Sequence, residues 1–134
     1  PSIESFRIGM KAEISKVITQ NFLSKFIDVS GDDNPMHTDE NFAKKSFFKK
    51  RVIHGFIPAM LFSTLFGTKL PGPGSIYLNQ NINFNKPIYI GDRIILQVEI
   101  THINLSRKTI TLKTICIVDN SIAVDGEANI FYPY

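Results

Sequence analysis

The chain has 134 residues, 43% hydrophobic and 20% charged, which is ordinary globular composition for one domain with its own core and excludes a disordered, fibrous or disulfide-stapled chain. A net charge of +3 is too small to argue by itself for a polyanionic partner. The single cysteine, Cys116, cannot close an internal disulfide, which favours a reducing compartment.

The opening stretch PSIESFRIGMK lacks the apolar run of a secretory leader, so a cytoplasmic location is expected. Ile14–Ile18 reads as a short strand. Thr19 is placed to cap a helix over Gln20–Ser30, in which Phe22, Phe26 and Val29, with Leu23 and Ile27 alongside, form one apolar face. Gly31 suits the position just past that helix, where the chain turns left-handed. The Asn34-Pro35 step favours a turn or extended geometry, and a shorter helix is expected at about Asp39–Lys45. A basic run, KKSFFKKR, carries Lys44, Lys45, Lys49, Lys50 and Arg51. Gly55–Gly67 is apolar almost all round. Its 13 residues fall short of the roughly 20 that cross a bilayer, so no membrane span is expected. It reads as a helix buried on every side, with Pro58 in its first turn and Gly67 at its end. LPGPG (Leu70–Gly74) is a loop.

Four alternating runs follow. Ile76, Leu78, Ile82 and Phe84 alternate with tyrosine and asparagines. Ile94, Leu96, Val98 and Ile100 alternate with polar residues, as do Ile110, Leu112, Cys116 and Val118, and then Ile122, Val124, Ala128 and Ile130. Period two means strands with one buried face. The connections Asn104–Arg107 and Asp119–Ser121 are short enough for antiparallel hairpins. An apolar sheet face must cover something, and the 55–67 helix is the element apolar enough. The expected fold is α+β: a curved antiparallel sheet of five or six strands wrapped around one buried helix. No repeat or linker interrupts residues 1–134, which read as a single domain. The open sheet edges suit a symmetric dimer that continues the sheet.

The chemistry concentrates at GDDNPMH, Gly31–His37. A helix stop before it and a proline within it fix the backbone between carboxylates and an imidazole. With ordinary pKa values of roughly 3.9 and 6.5, such groups held around one water suit proton transfer near neutral pH. Spacing leaves Asp32, Asp33 and Asp39 open as the acid, and a turn braced by local Asx hydrogen bonds is the plain alternative. VIHGF (Val52–Phe56) places His54 and Gly55 at the start of the buried helix, where free N–H groups and the positive dipole end can polarise a carbonyl. His54 by itself reads as a core histidine held by a local hydrogen bond. Ser63 and Thr64 are the hydroxyls within the apolar helix, and such residues usually bond back to the preceding turn. No metal is expected, because His37, His54 and His102 show no ligand-pair spacing. Cys116, on an apolar face, reads as inert. GPG at 72–74 is a turn rather than a phosphate loop. The basic run is too local for a groove-tracking stripe, so no nucleic-acid partner is expected.

Three stretches, FIDVSGDDNPMHTDENFAKKS, RVIHGFIPAMLFSTLFGTKLPGPGSIYL and KPIYIGDRI, resemble in order and spacing the MaoC-like, (R)-specific enoyl-CoA hydratases of the hot-dog fold. The resemblance covers nearly the whole chain, and its first stretch is the family's hydratase signature. It implies reversible hydration of a trans-2-enoyl-CoA to the (R)-3-hydroxyacyl-CoA. It implies Asp32 and His37 as the catalytic pair, Asn34 as support, the Gly55 N–H as oxyanion donor and Ser63 as a polar neighbour of the pair. Asp33 falls on a variable position and receives no role. No metal or redox cofactor is implied, since coenzyme A is part of the substrate. Lys44, Lys45 and above all Lys49, Lys50 and Arg51 become candidates for the coenzyme A phosphates, and a homodimer is expected. FFKKRVIHG is more basic than the lead into this motif often is in relatives, which bears on the substrate carrier. The alternatives are a dehydratase acting on (R)-3-hydroxyacyl chains of acyl carrier protein, a hot-dog thioesterase and a non-catalytic acyl-thioester binding module. The Asp-x4-His spacing and VIHG favour the hydratase over the thioesterase, and retention of both Asp32 and His37 argues against the binding module.

Overall fold

The computed structural model describes residues 1–134. Strand β1 (Lys11–Val17) leads into α1 (Gln20–Ser30), the single turn α2 (Pro35–Thr38), α3 (Glu40–Lys44) and α4 (Phe56–Thr68). The second half is all strand: β2 (Ile76–Phe84), β3 (Arg93–Asn104), β4 (Thr109–Val118) and β5 (Ser121–Phe131). The five strands form one antiparallel sheet in the order β1-β3-β4-β5-β2. Asp119 and Asn120 both have positive φ, at 50° and 61°, the backbone of a two-residue hairpin whose twist matches its strands.

Alternation decides what is buried. Ile94, Leu96, Val98 and Ile100 of β3 and Ile110, Leu112 and Cys116 of β4 have no solvent exposure. They meet Ile57, Phe62, Leu65 and Phe66 of α4 in one core of 24 buried residues. Each such aliphatic side chain contributes roughly 1.5–3 kcal/mol of transfer free energy. Burial also pushes the Cys116 thiol up to about 12, so it is not a nucleophile at neutral pH.

Three expectations need correction. The first strand begins at Lys11, because its register is set by main-chain pairing from Lys11↔Glu99 to Val17↔Arg93 rather than by apolar residues. Helix α4 is not buried on every side. Phe56, Met60, Ser63, Thr64 and Gly67 are exposed, since the sheet wraps one face only, and Gly67 does not end the helix, which runs on to Thr68. Finally, β2 is a poorly covered edge. A bulge between Tyr77 and Asn79 breaks its alternation, and Ile76, Leu78 and Phe84 stay about half exposed. The exposed stripe of α4 and the Ile76, Leu78 and Phe84 side chains of β2 are thus left poorly covered, whereas Ile82 packs against the core. No helix is long and apolar enough to cross a membrane.

Candidate active site

Helix α1 starts where the Thr19 hydroxyl accepts from the Phe22 N–H at 3.1 Å. It stops at Gly31, whose φ of 73° turns the chain left-handed while its N–H still bonds Ile27 O at 2.8 Å. A side chain there would be strained, so the glycine is required for Asp32 to leave the helix in this direction. Asp32 Oδ1 accepts from the Asn34 N–H at 3.3 Å, and Asn34 Oδ1 accepts from the Met36 N–H at 3.0 Å. These two Asx contacts cap α2, which sequence periodicity could not have found because it is one turn long. Asn34 therefore builds the turn that carries His37.

His37 is held at both ends. Arg51 Nε donates to its carbonyl at 2.8 Å, and its ring Nδ1 lies 2.5 Å from Val52 O. A carbonyl can only accept, so Nδ1 carries the proton and Nε2 is left as a bare base. Val52 is itself fixed, bridging to Tyr89, while the neighbouring Ile53 N–H bonds Ile88 O at 2.8 Å. Partial burial lowers the His37 pKa below 6.5. The hydrogen bond to Val52 and the Asp32 charge oppose that shift, whereas His54 adds to it.

His54 is buried, as expected of a core histidine, but its bond is not local: Nε2 lies 2.7 Å from Asp32 O, 22 positions back. Its ring stacks on His37 with centroids 3.8 Å apart and planes at 28°. Asp32, His37 and His54 thus bring a carboxylate oxygen and two ring nitrogens within 4.8 Å of one another. The spacing of the histidines along the chain gave no sign of this cluster. Two of its ring nitrogens, Nδ1 of His37 and Nε2 of His54, face carbonyl oxygens and carry protons, which fixes both tautomers and leaves Nε2 of His37 as the free base. The arrangement suits moving protons.

Gly55 follows His54 directly and starts α4 in right-handed backbone, with φ −59° and ψ −34°. The first N–H groups of a helix have no carbonyl one turn back, so this end can receive a developing oxyanion. A Cβ at Gly55 would press on the Phe84 ring at 3.0 Å. An apolar cavity of about 130 Å³ adjoins this point, with Phe48, Val52, His54, Phe84 and Ile88 among its walls and Lys86 beside them. Nothing in the sequence KPIYIGD marks Lys86 as a site residue.

The other expected site residues divide. Lys44, Lys45, Lys49 and Lys50 are exposed, and the Lys50 ammonium lies 4.4 Å from the Tyr89 ring centroid. Arg51, expected beside them at phosphates, is turned inward instead. Besides the His37 carbonyl it meets Glu40 Oε1 at 3.3 Å and Gln20 Oε1 at 2.7 Å, so its guanidinium is already committed. Ser63 lies on the exposed stripe of α4, two turns and about 12 Å along the axis from Gly55. Its hydroxyl makes no hydrogen bond to Asp32 or His37 within one copy. Thr64 bonds back to Met60 O at 3.3 Å.

Residues 6–121 match the family model described as "MaoC like domain". The chain belongs to that family. Among MaoC-like relatives, it is 38% identical over 133 residues to an (R)-specific enoyl-CoA hydratase of Aeromonas caviae, covering 98% of this chain and 99% of that one. It is 36% identical over 130 residues to the (R)-specific enoyl-CoA hydratase of Rhodospirillum rubrum, covering 97% and 90%. The solved structure of the (R)-hydratase from A. caviae involved in PHA biosynthesis superposes with a TM-score of 0.93 at 37% identity, covering 97% of this chain and 99% of that one. The curved sheet around α4 is therefore the hot-dog fold of the MaoC-like hydratases.

Proposed function

We propose that the protein is an (R)-specific enoyl-CoA hydratase, adding water reversibly to a trans-2-enoyl-CoA. The observation that carries this reading is the convergence of the Asp32 carboxylate and the bare Nε2 of His37 next to the N-terminus of α4. Water bound between carboxylate and imidazole loses a proton to Nε2 as its oxygen bonds Cβ. The Cα=Cβ pair of electrons moves into the thioester, whose oxygen becomes enolate-like and is stabilised by the Gly55 N–H. The imidazolium then returns that proton to Cα, completing the addition of one H and one OH. The Asp32 carboxylate orients the water and stabilises the transient imidazolium. Neither a metal nor a redox cofactor takes part. The lysines of the 44–50 segment approach the coenzyme A phosphates.

The same reading includes a homodimer in the cytoplasm. Its support is the uncovered apolar edge of β2 together with the exposed stripe of α4, which a second copy would cover by extending the sheet. A monomer by sedimentation at micromolar concentration would contradict it.

The test is loss of the conjugated thioester absorbance of crotonyl-CoA, with chiral analysis of the product. Turnover to the R alcohol supports the hydratase, and inactivity on coenzyme A thioesters of several chain lengths rejects it. One observation favours a second carrier. Phe47 is 91% exposed among four exposed lysines, a surface that suits an acidic acyl carrier protein. Faster dehydration of a carrier-bound (R)-3-hydroxyacyl chain than of its coenzyme A ester would select that reading.

A further inference from the structure

We infer that His54 is a positioning residue that holds the acid, the base and the oxyanion donor in one fixed arrangement. The inference rests on the hydratase reading. Three contacts carry it. The Nε2 of His54 lies 2.7 Å from the main-chain oxygen of Asp32, so the ring donates and its proton sits on Nε2. The face of the ring lies against His37, centroids 3.8 Å apart. The peptide bond after His54 is the one that presents the Gly55 N–H. One side chain thus references residues 32, 37 and 55 to each other.

The choice of histidine is informative. The residue is 3% exposed and its other nitrogen, Nδ1, is buried with no hydrogen-bond partner. It packs against Phe26, ring centroids 4.8 Å apart. A phenylalanine or leucine would fill this apolar site without an unpaired nitrogen, so filling alone does not account for a histidine. What the imidazole adds is the N–H toward Asp32. The contact also spares the carboxylate. His54 Nε2 is 3.8 Å from Asp32 Oδ2, beyond hydrogen-bond distance, and the Asp32 side chain remains 54% exposed. The backbone of Asp32 is held while its charge stays available to water. The edge of His37 is fixed by Val52 and its face by His54, which leaves Nε2 one direction in which to point.

Two substitutions separate the two contacts. His54→Phe keeps a ring against His37 and loses the donor to Asp32. His54→Gln keeps an amide donor and loses the ring. In each, with crotonyl-CoA, kcat is expected to fall about 10- to 100-fold, the scale of a misplaced reacting group, while KM changes by less than kcat because His54 is one wall among several of the cavity beside Gly55. Folded His54→Phe protein with wild-type kcat would overturn the inference and leave the hydratase reading standing. An inactive wild-type chain would remove both. A third measurement needs no variant: in ¹⁵N-histidine spectra of the wild-type protein above neutral pH, His54 is expected to carry its proton on Nε2. A proton on Nδ1 with Nε2 bare would overturn the inference, because the bond to Asp32 could not then exist.

Discussion

The sheet with α4 and the segment from Gly31 to Gly55 are held in shape by different forces. In β3 and β4, alternate side chains lose all solvent exposure against α4, and many equivalent apolar contacts share the load. Between Gly31 and Gly55 only Ala43, Val52, Ile53 and His54 are buried, and the shape depends on a few polar contacts. Asn34 caps one turn, Val52 O fixes one ring edge and Arg51 clamps one carbonyl. The first region tolerates change gradually because its stabilisation is distributed. The second has little redundancy, so a single substitution can misplace a reacting atom while the fold survives.

The largest effects should fall on opposite observables in the two regions. Asp32→Asn and His37→Gln are expected to lower kcat by about 10²- to 10⁴-fold, the usual contribution of general acid–base groups. The Asp32 side chain is half exposed and His37 only partly buried, so stability should move by less than about 1 kcal/mol. Leu96→Ala, in the fully buried row of β3, should cost about 2–5 kcal/mol in denaturant unfolding and leave turnover per folded molecule nearly intact. If Leu96→Ala instead abolished turnover in folded protein, the two regions would be more tightly coupled than their contacts suggest.

Arg51 lies where the regions meet and should affect both observables. Its guanidinium joins the His37 carbonyl to α1 through Gln20 and to α3 through Glu40. Arg51→Ala is expected to cost about 1–2 kcal/mol, discounting the Glu40 contact because that carboxylate is mostly exposed. Turnover should fall about tenfold through loss of His37 alignment. Arg51→Lys should not restore it, since a point charge cannot reach three acceptors in the geometry of a planar fork. Rescue by lysine would show that charge alone matters.

Legibility in the sequence follows the same division. The strands could be read because period-two alternation reports burial directly, and the antiparallel sheet around one apolar helix followed from it. The edge strand β2 misleads, because Ile76, Leu78 and Phe84 stay about half exposed in this chain by itself. Asp32, His37 and Gly55 could be placed by motif and resemblance. Their support could not, because Arg51 and His54 act through main-chain oxygens 14 and 22 positions away. A carbonyl has no residue identity, so no pattern of side chains marks it. By sequence alone Arg51 therefore groups with its basic neighbours, and His54 reads as locally satisfied.

The His37 environment predicts a smaller but directional effect of pH. Burial is the leading cause that lowers its pKa in the folded protein, with the Val52 hydrogen bond opposing and His54 assisting. The unfolded chain protonates near the ordinary value of about 6.5. As pH falls from there, the unfolded state takes up the proton first, so His37's contribution to stability is intact above that value and is lost as pH falls through the folded one. The proposed mechanism needs the neutral ring, so the histidine limb of kcat/KM should lie below the ordinary histidine value. Direct titration of His37 by NMR identifies the limb. A His37 pKa above 6.5 would mean that Asp32 and Val52 outweigh burial.

The smallest expected effect concerns the lysines, and it separates contact from field. Lys49 and Lys50 are exposed, so any attraction to substrate phosphates acts through water and is screened over about 10 Å at ordinary salt. Lys49→Glu with Lys50→Glu should raise KM for crotonyl-CoA a few-fold at low ionic strength, and less at high. kcat should be unchanged, because neither side chain touches Asp32, His37 or Gly55. Lys86→Gln offers the comparison, since Lys86 lines the cavity beside Gly55 and should raise KM with weaker salt dependence. If the double reversal leaves KM unchanged at low salt while Lys86→Gln raises it, the phosphates are met at the cavity and the basic run serves a macromolecular carrier or solubility instead.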